Sequence, residues 1–197
     1  MMQKSSPKLL KLVILSILGS ISLVLFFINF PLPFLPPYLK IDFSDVPALM
    51  ASLIFSPMAG VIVVGIKNVL YLATSGAGDP IGVAANFLAG VMFVVPVGIL
   101  YHKLKGVKSI VSGLVIGTII MAVGMSVLNY FLILPAYALF MGWDMSAYAK
   151  WISVIVGVLP FNLLKGIIVG LLFVPIFMKM RSWIEQKQIA NAGAQSG

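Results

Sequence analysis

Apolar residues run along this chain in six blocks, at about residues 9–30, 45–56, 57–75, 80–101, 109–140 and 150–180, with most of the charges in the segments between them. A helix needs about 20 residues to cross the hydrocarbon of a bilayer. The second block is short for that, so a helix there is expected to be buried in a bundle or tilted in the interface. The second and third blocks are divided at Ser56-Pro57. Ser as N-cap and Pro at the first helical position make a standard helix start, and Asp79-Pro80 repeats the device ahead of the fourth helix.

Composition agrees with this pattern. The 197 residues are 61% hydrophobic and 9% charged, more apolar surface than a soluble domain of this size can hide. The net charge of +8 forms no stripe interleaved with aromatics, which argues against nucleic acid. Instead it sorts by loop. With six spans and both termini inside, the cytoplasmic segments hold Lys4, Lys8, Lys11, Lys103, Lys105, Lys108, Lys179, Arg181 and Lys187. The outer loops then keep Lys40 and Lys150 and all of Asp42, Asp45, Asp79 and Asp144, as the positive-inside rule prefers. Five spans would place Lys103 to Lys108 outside. The first block lacks a signal-peptide cleavage pattern and is read as a retained helix. There is no cysteine, hence no disulfide framework and no thiolate metal site. The expectation is an all-α, multi-pass membrane protein: a six-transmembrane-helix bundle over residues 1–186, followed by a polar, disordered tail at 187–197.

Two features suggest a ligand. The outer segment FPLPFLPPYLKIDFSDVP, residues 30–47, holds five prolines, so it should be stiff and extended, able to roof a cavity. Within it Asp45 or Ser44 also suits a helix cap, Asp42 a solvated position, and Tyr38 and Lys40 interfacial anchors. The second feature is the few polar residues inside the spans: Lys67, Asn68, Asn86, Asn129, Asn162 and Lys165. At ~1.5 Å per residue, Lys67, Asn86 and Asn129 lie about 10–12 Å below the outer helix ends, and Asn162 and Lys165 about 18–22 Å. One pocket open to the outside would collect them. Asn162 and Lys165 share a helix face, and Pro160 just before them can kink the helix and free a carbonyl. No span contains a carboxylate, so Lys165 is expected to meet helix carbonyls or ligand acceptors, while Lys67 is shallow enough to snorkel. Each Asn taken alone also suits interhelical hydrogen bonding.

Gly113-x3-Gly117 and Gly166-x3-Gly170 permit close helix packing. On the first helix Ser16, Gly19, Ser20 and Ser22 make a small-residue face, suited either to docking another membrane subunit or to packing within the chain. No catalytic constellation and no metal-ligand cluster is present. The one histidine, His102, sits among lysines at the inner interface, and there is no Walker loop, no intramembrane proton relay and no visible inverted repeat. Uphill transport by this chain would draw its energy from a partner.

The proline-rich segment after the first helix, the six-helix length and the N-x2-K pair Asn162 and Lys165 together resemble the riboflavin-binding S-component of energy-coupling factor (ECF) vitamin transporters. The resemblance implies a non-enzymatic subunit of the bacterial cell membrane that captures riboflavin from outside as transported substrate rather than cofactor. Its partners would be membrane lipid, a transmembrane coupling subunit and two cytoplasmic ATPase subunits. The family's coupling signature is an alanine-x3-alanine pair on the first helix; the corresponding positions here are Ser16 and Ser20, with Gly19 between them, a departure that keeps the residues small. Riboflavin chemistry then suggests that Lys165 and Asn129 read the isoalloxazine edge, with Asn86 and Asn162 in support. Leu39 and Val83 would pack on the ring faces, Asp45, Lys40 or Lys67 would meet the ribityl hydroxyls, and Tyr38 would lie alongside. The competing expectations are specificity for another vitamin, or a structural membrane protein in which the Asn and Lys residues are interhelical glue.

Overall fold

The computed structural model of the chain describes residues 7–36, 38–142 and 145–193; Lys4, Asp144 and the last four residues of the expected tail lie outside them. Helix α1 (Pro7–Phe27) leads into a two-stranded hairpin, β1 (Phe30–Pro31) and β2 (Lys40–Ile41), with Phe30 opposite Ile41. Then come α2 (Asp45–Ile54), α3 (Pro57–Thr74), a short 3-10 turn (Gly76–Gly78) and α4 (Pro80–Leu104). Helix α5 (Gly106–Leu128) continues through a π turn (Asn129–Ile133) into α6 (Leu134–Met141). Helix α7 (Ala147–Ile152) passes through a second π turn (Ser153–Val158) into α8 (Leu159–Gly193). Five of these helical stretches are long and apolar enough to cross a bilayer: Lys8–Phe27, Pro57–Thr74, Pro80–Leu104, Gly106–Met141 and Ala147–Gln188.

The short sixth element, α2, is the centre of the bundle. All ten of its residues are buried, so it lies inside the bundle and not in the interface. At ~1.5 Å per residue it covers about 15 Å, half the hydrocarbon thickness. Around it Val63 and Val64 of α3, Phe93 and Val97 of α4, and Phe173 and Phe177 of α8 complete the core. Outward-facing positions such as Leu12, Val123 and Leu171 remain exposed and apolar, as a lipid-facing surface requires. Carbonyls left open at the C-terminal end of α2 are met by side chains: His102 Nε2 donates to Ser52 O at 2.9 Å, and Gln188 to Leu53 O. His102 is therefore a cap rather than a free interfacial group. Helix α8 runs on past residue 186, where the sequence predicts a polar tail to begin, and Lys105 Nζ donates to Gln188 Oε1 at 2.9 Å.

Both predicted helix starts form. Ser56 is extended and accepts from Ala59 N at 3.3 Å, and Asp79 accepts from Gly82 N at 2.8 Å. Of the proline-rich segment expected to be extended over residues 30–47, the described residues 30–44 are non-helical, whereas Asp45, Val46 and Pro47 open α2, and the segment folds back on itself instead of running extended. Leu35 N donates to Leu32 O at 3.1 Å, placing Pro33 at the second position of a turn, where its fixed φ is favourable.

Glycines bring α5 onto α4. A Cβ at Gly113 would lie 2.8 Å from Val97 Cα, and one at Gly117 only 2.6 Å from Phe93 O. A Cβ at Gly170 would meet nothing closer than 3.7 Å. Gly117→Val is therefore expected to cost about 3 kcal/mol, the upper end for overpacking, and Gly170→Ala to be nearly neutral. Thermal unfolding of the two variants in detergent checks the contrast; equal melting temperatures would refute it.

Candidate ligand-binding cavity

The end of the bundle that carries the 28–44 segment encloses a cavity of about 470 Å³, in the size range of sites for drug-sized molecules. The hairpin contributes Tyr38, Leu39, Lys40 and Asp42, while Phe26, Asn29 and Tyr71 close one side. Val83 and Asn86 of α4, Asn129 and Ile133 of the first π turn, and Tyr137 of α6 line the opposite side. Phe161, Asn162 and Lys165 of α8 complete the wall. The sequence-predicted residues thus meet in one place, except Asn68, which is buried within the bundle, and Asp45 and Lys67, which lie behind the wall in a buried ionic cluster.

That cluster overturns one expectation. Lys165 Nζ lies 3.0 Å from Asp42 Oδ2 and 3.2 Å from Asp45 Oδ2, and Lys67 Nζ lies 3.4 Å from Asp45 Oδ1. Two ammonium groups are balanced by two carboxylates, neither of which belongs to the apolar block carrying its lysine partner. Asp42 is not solvated and Lys67 does not snorkel: their exposures are 1% and 0%. Lys67 instead donates to Ser44 Oγ at 2.8 Å and lies 5.2 Å from the centre of the Phe26 ring. Ser44 takes the N-cap position of α2 without a side-chain capping bond. Its backbone N donates to Asp42 Oδ1 at 2.9 Å, its hydroxyl donates to the same oxygen, and its carbonyl accepts from Ser22 of α1. Burial alone would raise the Asp42 carboxyl. The ammonium groups of Lys165 and Lys67, with the Ser44 hydroxyl, outweigh it and hold the group below its ordinary value. Lys165 and Asp42 form the interface between cluster and cavity, since both line the void.

The asparagines are held by their own helices. Asn129 donates to Met125 O, Asn162 to Val158 O and Asn68 to Val64 O, each at 2.8 Å and each one turn back on its own helix. They are not interhelical glue. One amide hydrogen of each is held locally, which fixes the side chain and leaves the amide oxygen and second hydrogen for another partner. Asn86 Oδ1 is buried without a hydrogen-bond partner among the described residues, a cost of about 1–3 kcal/mol if nothing fills the space beside it.

The π turns explain how the deep polar residues reach the void. Pro135 and Pro160 each have, four residues earlier, a carbonyl inside a π turn: those of Phe131 and Val156. A proline ring clashes with the carbonyl at that position in a regular helix, and the wider turn relieves the clash. Both prolines are visible in the sequence, but only one of them, Pro160, reads there as a kink. Sequence reasoning missed Asp79 and Tyr137, which join across the cavity: Tyr137 Oη donates to the Asp79 carboxylate at 2.8 and 2.9 Å. On α1 the small-residue face divides. Gly19 packs against Ile66 of α3 and Ser22 turns inward, whereas Ser16 and Ser20 stay exposed, with Ser20 Oγ bonded to Ser16 O at 3.0 Å.

Comparisons with known proteins agree with this architecture. The family described as ECF transporter, substrate-specific component, matches residues 10–177. The chain is 49% identical to the riboflavin transporter FmnP of Bacillus subtilis over 187 residues, covering 93% of this chain and 98% of the relative. It is 41% identical to the riboflavin transporter RibU of Staphylococcus aureus, with 89% and 93% covered. A solved structure described as the S component of a bacterial ECF transporter superposes with a TM-score of 0.77 at 40% identity, covering 90% of this chain and 98% of that one. The buried α2, the cavity beneath the hairpin and the match along nearly the whole membrane region together place this chain among the substrate-specific components of ECF transporters.

Proposed function

We propose that this protein is the riboflavin-binding subunit of an ECF transporter, holding riboflavin in the 470 Å³ cavity. The observation that carries the reading is the cavity wall. Apolar surfaces from Leu39 and Val83 suit the faces of a flat ring system, and fixed amides at Asn129 and Asn162 sit near the Lys165 ammonium, suited to its acceptor-rich edge. Asn86 supplies a further amide. Lys40, Tyr38 and Asp42 are available to the ribityl hydroxyls, replacing Asp45 and Lys67, whose atoms do not line the void. The names of the relatives support the same ligand.

In this reading the cavity faces outward and both termini are cytoplasmic, consistent with the lysines and Arg181 of the opposite end. The exposed pair Ser16 and Ser20 docks on a transmembrane coupling subunit, which joins two cytoplasmic ATPases that supply the energy. Titration of the purified protein with riboflavin, followed by quenching of flavin fluorescence, is expected to saturate at one ligand per chain and to raise the melting temperature. Stabilisation by a different vitamin without flavin quenching would overturn the ligand assignment. Stabilisation by no vitamin would favour a structural role.

A further inference from the structure

A second groove, lined mainly by apolar side chains, lies between the start of α4 and the π turn leading to α6. Its lining includes Pro80, Ala84, Leu132, Ala136 and Phe140, and it shares Ala85 and Ile133 with the ligand cavity. Between the two voids the wall is therefore one side chain thick, and on the α4 side it is made of small residues. Phe140 on the far side of the groove is 79% exposed, so the groove opens on the outer surface of the bundle. Across this thin seam runs the hydrogen bond from Tyr137 of α6 to Asp79 at the cap of α4. Room for that pair depends on Gly82. A Cβ there would collide with the Asp79 carboxylate and lie 3.1 Å from Tyr137 Oη.

Building on the riboflavin reading, we propose that the cavity opens sideways between α4 and α6, through the wall formed by Ala85 and Ile133, and that the Tyr137–Asp79 pair latches this seam. Several features meet here. The backbone of α6 begins at a π turn, a place where helices bend with little resistance. The groove outside is lined by apolar side chains, so the outer face of the seam suits contact with lipid. The latch itself sits at the aqueous end, on an exposed aspartate. Tyr137 and Asp79 thus act as gating residues, distinct from the amides and the lysine that would read the ligand.

A gate and a ligand contact differ kinetically. Tyr137→Phe keeps the ring and removes the donor. Riboflavin association, followed by stopped-flow fluorescence, is expected to accelerate about tenfold, the rate equivalent of one hydrogen bond to a charged group. Gly82→Ala, which pushes the same pair apart from another direction, is expected to do likewise. Conversely, Ala84→Cys with Ala136→Cys, joined by a short bis-maleimide in a chain that has no other cysteine, should slow association and dissociation. Faster dissociation with unchanged association would make Tyr137 a ligand contact and overturn the gate. So would unchanged rates in a fully cross-linked protein. A ligand-free measurement separates failure of the gate from failure of the riboflavin assignment. Met125→Cys places a thiol on the cavity wall, and its maleimide labelling rate should rise when combined with Tyr137→Phe. Equal labelling rates would refute the gate whatever the ligand is.

Discussion

Replacing Lys165 with alanine is expected to weaken riboflavin binding by about 100-fold, the equivalent of a charged hydrogen bond of ~3 kcal/mol. It is also expected to cost about 3–5 kcal/mol of stability, because it leaves Asp42 and Asp45 sharing only Lys67 in a dry site. The two effects can be separated. Asp42→Asn in the same chain restores charge balance, leaving Asp45 with Lys67 at 3.4 Å. The double variant should recover much of the melting temperature while its flavin quenching stays weak. If its affinity returned to that of the unmodified protein, Lys165 would act only through the ionic cluster, and the assignment of its ammonium to the isoalloxazine edge would fall.

Lys67→Met makes the complementary case. Lys67 is fully buried and does not line the cavity, and methionine keeps its length without its charge. The loss of stability is expected to be about 3 kcal/mol, the lower end for breaking a buried pair, because Asp45 retains Lys165 at 3.2 Å. Riboflavin affinity should change by no more than about threefold, since no ligand contact of even ~1 kcal/mol is removed. Thermal unfolding and flavin titration on the same sample test both halves. A large loss of affinity at an unchanged melting temperature would put the Lys67 ammonium against the ligand and contradict the geometry of the wall.

The helices were readable because a bilayer imposes length and hydropathy on each one separately, and because Ser56-Pro57 and Asp79-Pro80 announce their starts in adjacent residues. The membership of the cavity wall was readable for a similar reason: polar residues in apolar helices have few places to go, and Asn129, Asn162 and Lys165 all go there. The ionic cluster was not readable. Asp42 and Lys165 are 123 residues apart, and the depth of a side chain counted along its own helix says nothing about a loop that enters the bundle to meet it. The hydrogen bonds that hold Asn129 and Asn162 were not readable because they run one turn along the same helix, a local option that spacing between helices does not reveal. Asp79 showed its capping role in the sequence, but its tie to Tyr137 depends on the placement of α6 beyond a π turn.

The buried α2 constrains the order in which the protein is assembled during synthesis. A ten-residue segment that begins with an aspartate is too short and too polar to partition into the bilayer as an independent span, so it must enter with α3 as a paired unit. Until α8 leaves the ribosome, that unit and the hairpin segment before it carry the carboxylates of Asp45 and Asp42 against the single ammonium of Lys67. Electrical balance in the centre of the molecule is therefore completed only by the final helix, which brings the Lys165 ammonium to Asp42 and Asp45.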